Sequence, residues 1–142
     1  MKKILLILIL IAFTGLQSIA QTEKTDKIHK VIIQLNTADT AAWSSVIGNI
    51  KNFQKVWPGH VKIEVVVHGK ALNFLVASKT HLSNDIETVS KQGVVFNACE
   101  NTMNKYGIKK DMLLQIAGTV PSGVAELVIQ QENGWSYLKA GL

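Results

Sequence analysis

The sequence predicts an α/β domain with three layers, α/β/α, and two kinds of periodicity predict it. Short apolar runs rich in β-branched residues, of which Val31-Ile32-Ile33-Gln34-Leu35 is the first, have the length and composition of strands buried on both faces. Between such runs lie segments whose apolar residues fall three and four positions apart, the spacing of one face of a helix. Strands alternating with helices imply a mainly parallel sheet covered on both sides, because parallel neighbours need long crossovers and these are usually helical.

The elements follow in order. A polar lead-in occupies 21–29, and the first strand runs from Val31 to Leu35. Asn36 to Thr40 reads as a loop. Asp39 or Thr40 caps a helix that carries Trp43, Val46, Ile47, Ile50, Phe53 and Trp57 on one face, and Pro58-Gly59 stops it. The second strand is Val61 to Val67. His68-Gly69 and a short apolar segment, Ala71 to Ala77, lead to a helix from about Ser83 to Lys91 with Ile86 and Val89 inward. Gly93 opens the third strand, Val94 to Ala98, and Cys99 stands at its end. Glu100 to Tyr106 is helical, with Gly107 as its C-terminal stop. After a connection from Ile108 to Leu114, Ile116 to Val120 is the fourth strand and Pro121-Ser122-Gly123 a turn and cap. Val124 to Glu132 is a helix with Leu127 and Val128 inward, Gly134 ends it, and Trp135 to Lys139 is the last strand. No repeat, low-complexity tract or linker divides 30–142, which forms one domain.

The first twenty residues stand outside this pattern. Lys2 and Lys3 precede an apolar run from Ile4 to Phe13, and a more polar stretch ends in Ser18-Ile19-Ala20. That order of features is a cleavable secretory signal. The run falls short of the roughly 18 residues a spanning helix needs, so no stable membrane insertion is expected after cleavage near Gln21. No cysteine lies near the cleavage point, which excludes lipoprotein processing. The expectation is a protein secreted across the inner membrane into the periplasm.

Without that segment the 15 basic residues lose Lys2 and Lys3, leaving 13 against 10 acidic ones, a net charge of +3. This is too mild to indicate a partner. Every basic side chain is lysine, so the arginine fork that suits phosphates and guanine edges is missing, and nucleic acid is not an expected partner. Roughly 122 residues suffice for a core without disulfides. None can form within the chain, because Cys99 is its single cysteine.

In a parallel sheet the loops after the strand ends gather along one edge, where ligands usually bind. Here they bring Asn36, His68-Gly69-Lys70, Asn97 to Asn101 and Val120 to Gly123 to the same side. Among these residues Cys99 is the good nucleophile. A position just before a helix would aim backbone N–H groups at its sulfur and lower the thiol pKa, and His68 and Lys70 could add to that effect. Plainer roles stand beside these: Cys99 as a small buried apolar side chain, His68 as a hydrogen-bonded turn residue, Lys70 as solvated surface, Ser122 as a helix N-cap.

Other chemistries fail on geometry. Ser136-Tyr137-Leu138-Lys139 has the serine-x-x-lysine spelling, but on a strand its ends point to opposite faces. His29, His60, His68 and His81 lie in separate elements without metal spacing, and Cys99 has no second thiol, so no metal is expected. Gly69-Lys70 has Glu64 where a phosphate loop needs its first glycine, and no cofactor is expected. Trp43, Trp57 and Trp135 fit packing better than a stacking platform.

Three segments, Val65-Val66-Val67-His68-Gly69-Lys70-Ala71-Leu72, Gly93-Val94-Val95-Phe96-Asn97-Ala98-Cys99-Glu100-Asn101-Thr102-Met103 and Val120-Pro121-Ser122-Gly123-Val124-Ala125-Glu126-Leu127, together resemble the DsrE/DsrF-like family of sulfur-relay proteins. The closing Gly134 to Lys139 also fits, so the resemblance covers about Lys30 to Lys139. It implies a three-layer fold around a five-stranded parallel sheet, assembled into trimers or hexamers. It also implies a cysteine after the third strand that carries sulfur as a persulfide between thiol-bearing partner proteins. Cys99 occupies that position, with Asn36, His68, Lys70, Asn101 and Ser122 as surrounding crevice residues. The expected function is an exported sulfur carrier or sulfurtransferase-like protein. The alternative is a non-catalytic oligomeric module of the same fold that binds a small ligand or a protein and whose cysteine is structural.

Overall fold

The computed structural model describes residues 27–141. The expected signal at 1–20 and most of the polar lead-in lie outside the described residues. Five strands, β1 (His29–Leu35), β2 (Val61–Val67), β3 (Val95–Cys99), β4 (Gly118–Val120) and β5 (Ser136–Ala140), form one sheet in the order β4-β3-β2-β1-β5, and every pairing is parallel. Four α-helices connect them: α1 (Thr40–Val56), α2 (Ser83–Lys91), α3 (Glu100–Tyr106) and α4 (Gly123–Glu132), with 3-10 turns at Gly69–Phe74 and Lys110–Met112.

Strand order dictates which helix covers which face. From β1 through β4 the chain steps across the sheet in one direction. Right-handed crossovers then place α1, α2 and α3 on the same face. The last crossover returns over the whole sheet to pair β5 with β1, and α4 accordingly lies on the other face. The first, thick face holds the main core: Val31, Ile33 and Leu35 of β1, Val65 and Val67 of β2 and Phe96 of β3 pack under Trp43, Val46 and Ile50 of α1, Ile86 of α2, Met103 of α3 and Leu72 and Phe74 of the first 3-10 turn. The thin face has a small cluster of Ile32, Val66 and Leu127, flanked by Trp135.

Asp39 is the cap of α1, its carboxylate accepting the Ala41 N–H at 2.9 Å. Gly107 stops α3 in the left-handed conformation at φ 64°. Several boundaries differ from expectation, each for a local reason. The first strand begins at His29, whose N–H donates to the His60 carbonyl and extends the ladder to β2. Val94 and Trp135 are not strand residues, because their N–H groups bond back to the preceding helices, at Val89 and Gln130. The fourth strand starts only at Gly118: Leu114 donates to Leu75 and Ala117 donates to Leu114, which holds Ile116 in a turn. The segment Ala71 to Ala77 is largely a buried 3-10 turn, with a single bridge from Val76 to Leu113. Val128 is not inward but 53 % exposed, since Leu127 takes the sheet-facing position and its neighbour is turned about 100° away.

Candidate functional site

The chain leaves β3 towards the thick face, into α3, and leaves β4 towards the thin face, into α4. Adjacent strands that send their loops to opposite sides open a crevice at their carboxyl ends, the topological switch point of such a sheet. Cys99 and Gly123 sit on its two sides. Cys99 is the last residue of β3, paired with Val120 of β4, and also the N-cap residue of α3. The two loops are tied by the Asn101 N–H, which donates to the Pro121 carbonyl at 3.3 Å, and by Thr119, whose hydroxyl donates to the Glu100 carboxylate at 2.7 Å.

The surroundings of the Cys99 sulfur favour its anion. Its residue is only 5 % exposed, and burial by itself pushes the thiol up. Hydrogen bonds to the sulfur outweigh that and hold the thiol below its ordinary value: the Gly123 N–H first, at 3.2 Å, then the Thr102 hydroxyl and the N–H groups of Thr102 and Asn101. Gly123 is the first residue of α4, so the sulfur also faces the positive end of that ten-residue helix. The Thr102 hydroxyl accepts the Gly69 N–H at 3.1 Å, which leaves its own hydrogen for the sulfur.

Gly123 fits because it has no side chain. A Cβ there would stand 3.1 Å from Val66 Cγ1, 3.2 Å from His68 Cβ and 3.3 Å from Cys99 Cβ, all tighter than ordinary contact. The same numbers place His68 beside Cys99, across the start of α4. The His68 Nε2 atom lies 2.8 Å from Gln34 Nε2, and an amide nitrogen can only donate. In this arrangement the amide N–H donates to His68 Nε2, the acceptor of the neutral tautomer that carries its hydrogen on Nδ1. Burial lowers the His68 pKa in the same direction. The Tyr137 hydroxyl donates to Gln34 Oε1, at the other end of the same amide. With its pKa lowered by burial, the His68 ring beside Cys99 favours the neutral form.

The remaining expected residues separate. Asn101 acts through its backbone. Asn36 is half-buried at the end of β1, where its carbonyl approaches Gly69. Ser122 occupies the N-cap of α4, but its side chain makes no capping bond; its carbonyl accepts the Glu126 N–H. Lys70 is exposed and lines a separate cavity whose walls do not include Cys99. Thr102, Gln34 and Tyr137 had no sequence signal beyond proximity to a junction or a place on a strand. Ser136 and Lys139 pair with Val31 and Gln34, on opposite faces, so the serine-x-x-lysine spelling is not a site.

On the thin face Glu64 is 5 % exposed and receives one hydrogen bond, from Asn97 Nδ2 at 2.9 Å. Burial, opposed by that bond and reinforced by Glu126 on α4, raises its carboxyl pKa. Among the described residues the one ion pair is Lys51 with Asp85, on the surface, so no cation neutralises Glu64.

No functionally curated protein matches the chain. Among solved structures it is similar to MTH1491, a protein of unknown function from Methanobacterium thermoautotrophicum, with 32 % identity and a TM-score of 0.75 over 78 % of this chain and 98 % of that one. The ychN protein of E. coli, at 14 % identity and a TM-score of 0.64, covers 79 % of this chain and 99 % of its own. BT1422, a conserved protein of unknown function from Bacteroides thetaiotaomicron, has 16 % identity and a TM-score of 0.61 over 84 % and 99 %. The latter two share the fold. The model of the DsrE/DsrF-like family matches residues 16–140, and the chain belongs to that family.

Proposed function

We propose that the protein is an exported sulfur carrier in which the Cys99 thiolate accepts a sulfane sulfur and passes it to a second thiol. The observation that carries this reading is the set of donors on the Cys99 sulfur, which lower its pKa despite burial. In the first step the Cys99 thiolate attacks the outer sulfur of a donor persulfide. A new S–S bond forms to Cys99, the donor S–S bond breaks, and the donor leaves as a thiolate, while the proton stays on the transferred sulfur. In the second step an acceptor thiolate attacks that outer sulfur and releases Cys99 as thiolate. No oxidant is needed, because one S–S bond replaces another. The N–H groups stabilise the thiolate released in the second step as they do the resting one, and the 5 % exposure admits a small donor more readily than a bulky reagent.

Export is supported by the charged, apolar and small-residue order of 1–20. Assembly into a homo-oligomer is supported by the thin face, where Val124 and Val128, four positions apart on α4, and Val95 on β3 are exposed. Among the described residues no helix is long and apolar enough to cross a membrane.

Incubation of the purified protein with a polysulfide, followed by intact mass, tests the carrier role. A sulfur-sized adduct that reductant removes and Cys99→Ser lacks is the expected result. A thiol that takes a small alkylating reagent but never the sulfur adduct would overturn it. A thiol inert to every reagent in the folded protein would favour the structural cysteine of a binding module.

A further inference from the structure

A second cavity lies on the thick side of the sheet. It encloses about 520 Å³ and is bounded by Gly69, Lys70, Leu72 and Asn73 after β2, by Lys79, and by Tyr106, Ile108 and Met112 after α3, with Ala38 at one side. That volume falls within the range of small-molecule sites, about 300–1,000 Å³. Its floor is apolar, because Leu72 and Ile108 belong to the core. Its rim is apolar too: Tyr106 and Met112 are 49 % and 40 % exposed.

The charge of the lining is one-sided. Lys70 and Lys79 are its two ionic side chains, both exposed, and no carboxylate lines it. Neither lysine is paired, since the ion pair among the described residues joins Lys51 and Asp85 elsewhere. A third ammonium, that of Lys105, stands 5.7 Å from the Tyr106 ring centroid. Two free cations over an apolar floor select for a ligand with negative charge at one end and hydrocarbon at the other. A fully hydrated inorganic anion would leave Leu72, Ile108, Tyr106 and Met112 unused, and a neutral or cationic apolar molecule would leave the lysines unmatched or repelled.

We propose that this cavity binds a small organic anion with an apolar body, a carboxylate or sulfonate held by Lys70 and Lys79 with its hydrocarbon against Leu72, Ile108, Tyr106 and Met112. The site is separate from Cys99, and its occupancy does not depend on sulfur transfer.

Octanoate and octanesulfonate are suitable probes, titrated calorimetrically into the purified protein and followed by methionine methyl NMR. Saturable one-site binding is expected, with a larger shift at the Met112 methyl than at Met103. 1-Octanol and octylammonium should bind at least tenfold more weakly. The double variant Lys70→Gln/Lys79→Gln should weaken octanoate at least tenfold with an unchanged melting curve, and Lys62→Gln, on the other face, should leave it unaltered. Failure of both anions to bind saturably, octanol or octylammonium binding as tightly as octanoate, or undiminished octanoate binding by the folded double variant would each overturn the proposal.

Discussion

The two faces of the sheet use the same strands for different purposes. On the thick face three helices and a 3-10 turn bury alternate residues of every long strand, and the contacts are almost all apolar. On the thin face one helix lies over Ile32 and Val66, and the same strands place Gln34, Glu64, His68, Asn97 and Cys99 there. The thick face supplies packing free energy. The thin face spends part of the available burial on polar groups that are satisfied by specific hydrogen bonds. The candidate site lies where the packing is thinnest, at the edge where α4 meets β3.

The largest effect should follow from attacking the thick face. Phe96 of β3 is fully buried under the ring of Phe74, and Phe96→Ala should cost about 3–5 kcal/mol in urea denaturation through lost transfer and a residual cavity. Val124→Asp, on the outer side of α4, should change the stability of the single chain by no more than about 0.5 kcal/mol. It should nevertheless lower the mass seen in sedimentation if that surface mediates assembly. Equal losses from both substitutions would break the contrast between the faces.

Gly123→Ala probes the junction of the two. The added methyl must move Val66, His68 or Cys99 by a few tenths of an ångström, or shift the start of α4, at a cost of about 1–3 kcal/mol. Because the Gly123 N–H is the leading donor to the sulfur, the alkylation rate of Cys99 should acquire a higher pH midpoint than in the unsubstituted protein. An unchanged midpoint in a destabilised variant would show that the α3 donors alone set the thiol pKa.

Sequence periodicity made most of this architecture legible, and the reason is visible in β2 and α2. Val61 to Val67 and Ser83 to Lys91 were bounded correctly because strong local patterns end at strong local breaks. Cys99 was legible as a strand-end residue for the same reason. What local pattern cannot carry is tertiary. Val128 looked inward because a four-residue window does not know that one helix covers a five-stranded face. The partner of the His68 ring is Gln34, 34 residues earlier in the chain, and the Tyr137 contact to that amide arrives only after the whole return crossover. The Thr102 hydroxyl, a donor to the sulfur, is also tied to the Gly69 N–H, 33 residues away.

Glu64→Gln should act in the opposite sense to most core changes. With its carboxyl pKa raised by burial, the folded protein holds the proton more tightly than the unfolded chain does, so stability falls as pH rises through the interval above the ordinary carboxylate value. The amide keeps the bond from Asn97 and carries no charge. The variant should therefore be more stable than the parent at pH 8, by on the order of 1 kcal/mol, and no more stable at pH 4. Thermal melts at the two values would show it, and an equal gain at both would mean that charge is not the cause.

A small effect is expected at Tyr137, which is partly exposed, and it bears on how His68 is held. Losing the hydroxyl in Tyr137→Phe should cost less than about 1 kcal/mol at pH 7.5. The Gln34 amide is then free to turn and present its oxygen to His68 Nε2, which favours a proton there. The sign follows from linkage. The His68 pKa is lowered in the folded protein, so between that value and the ordinary one the unfolded chain binds more protons, and stability declines as pH falls through the window. In Tyr137→Phe the His68 pKa should move up towards the ordinary value, and the decline on acidification should flatten. An NMR titration of the His68 ring, with denaturation at pH 5 and 7.5, measures both. If the ring titrates at the same pH in the variant, burial alone keeps His68 neutral and the Tyr137–Gln34 bond merely accompanies it; if it moves, the thin face controls the ionisation of a residue beside Cys99 through a hydrogen-bond chain that begins on its last strand.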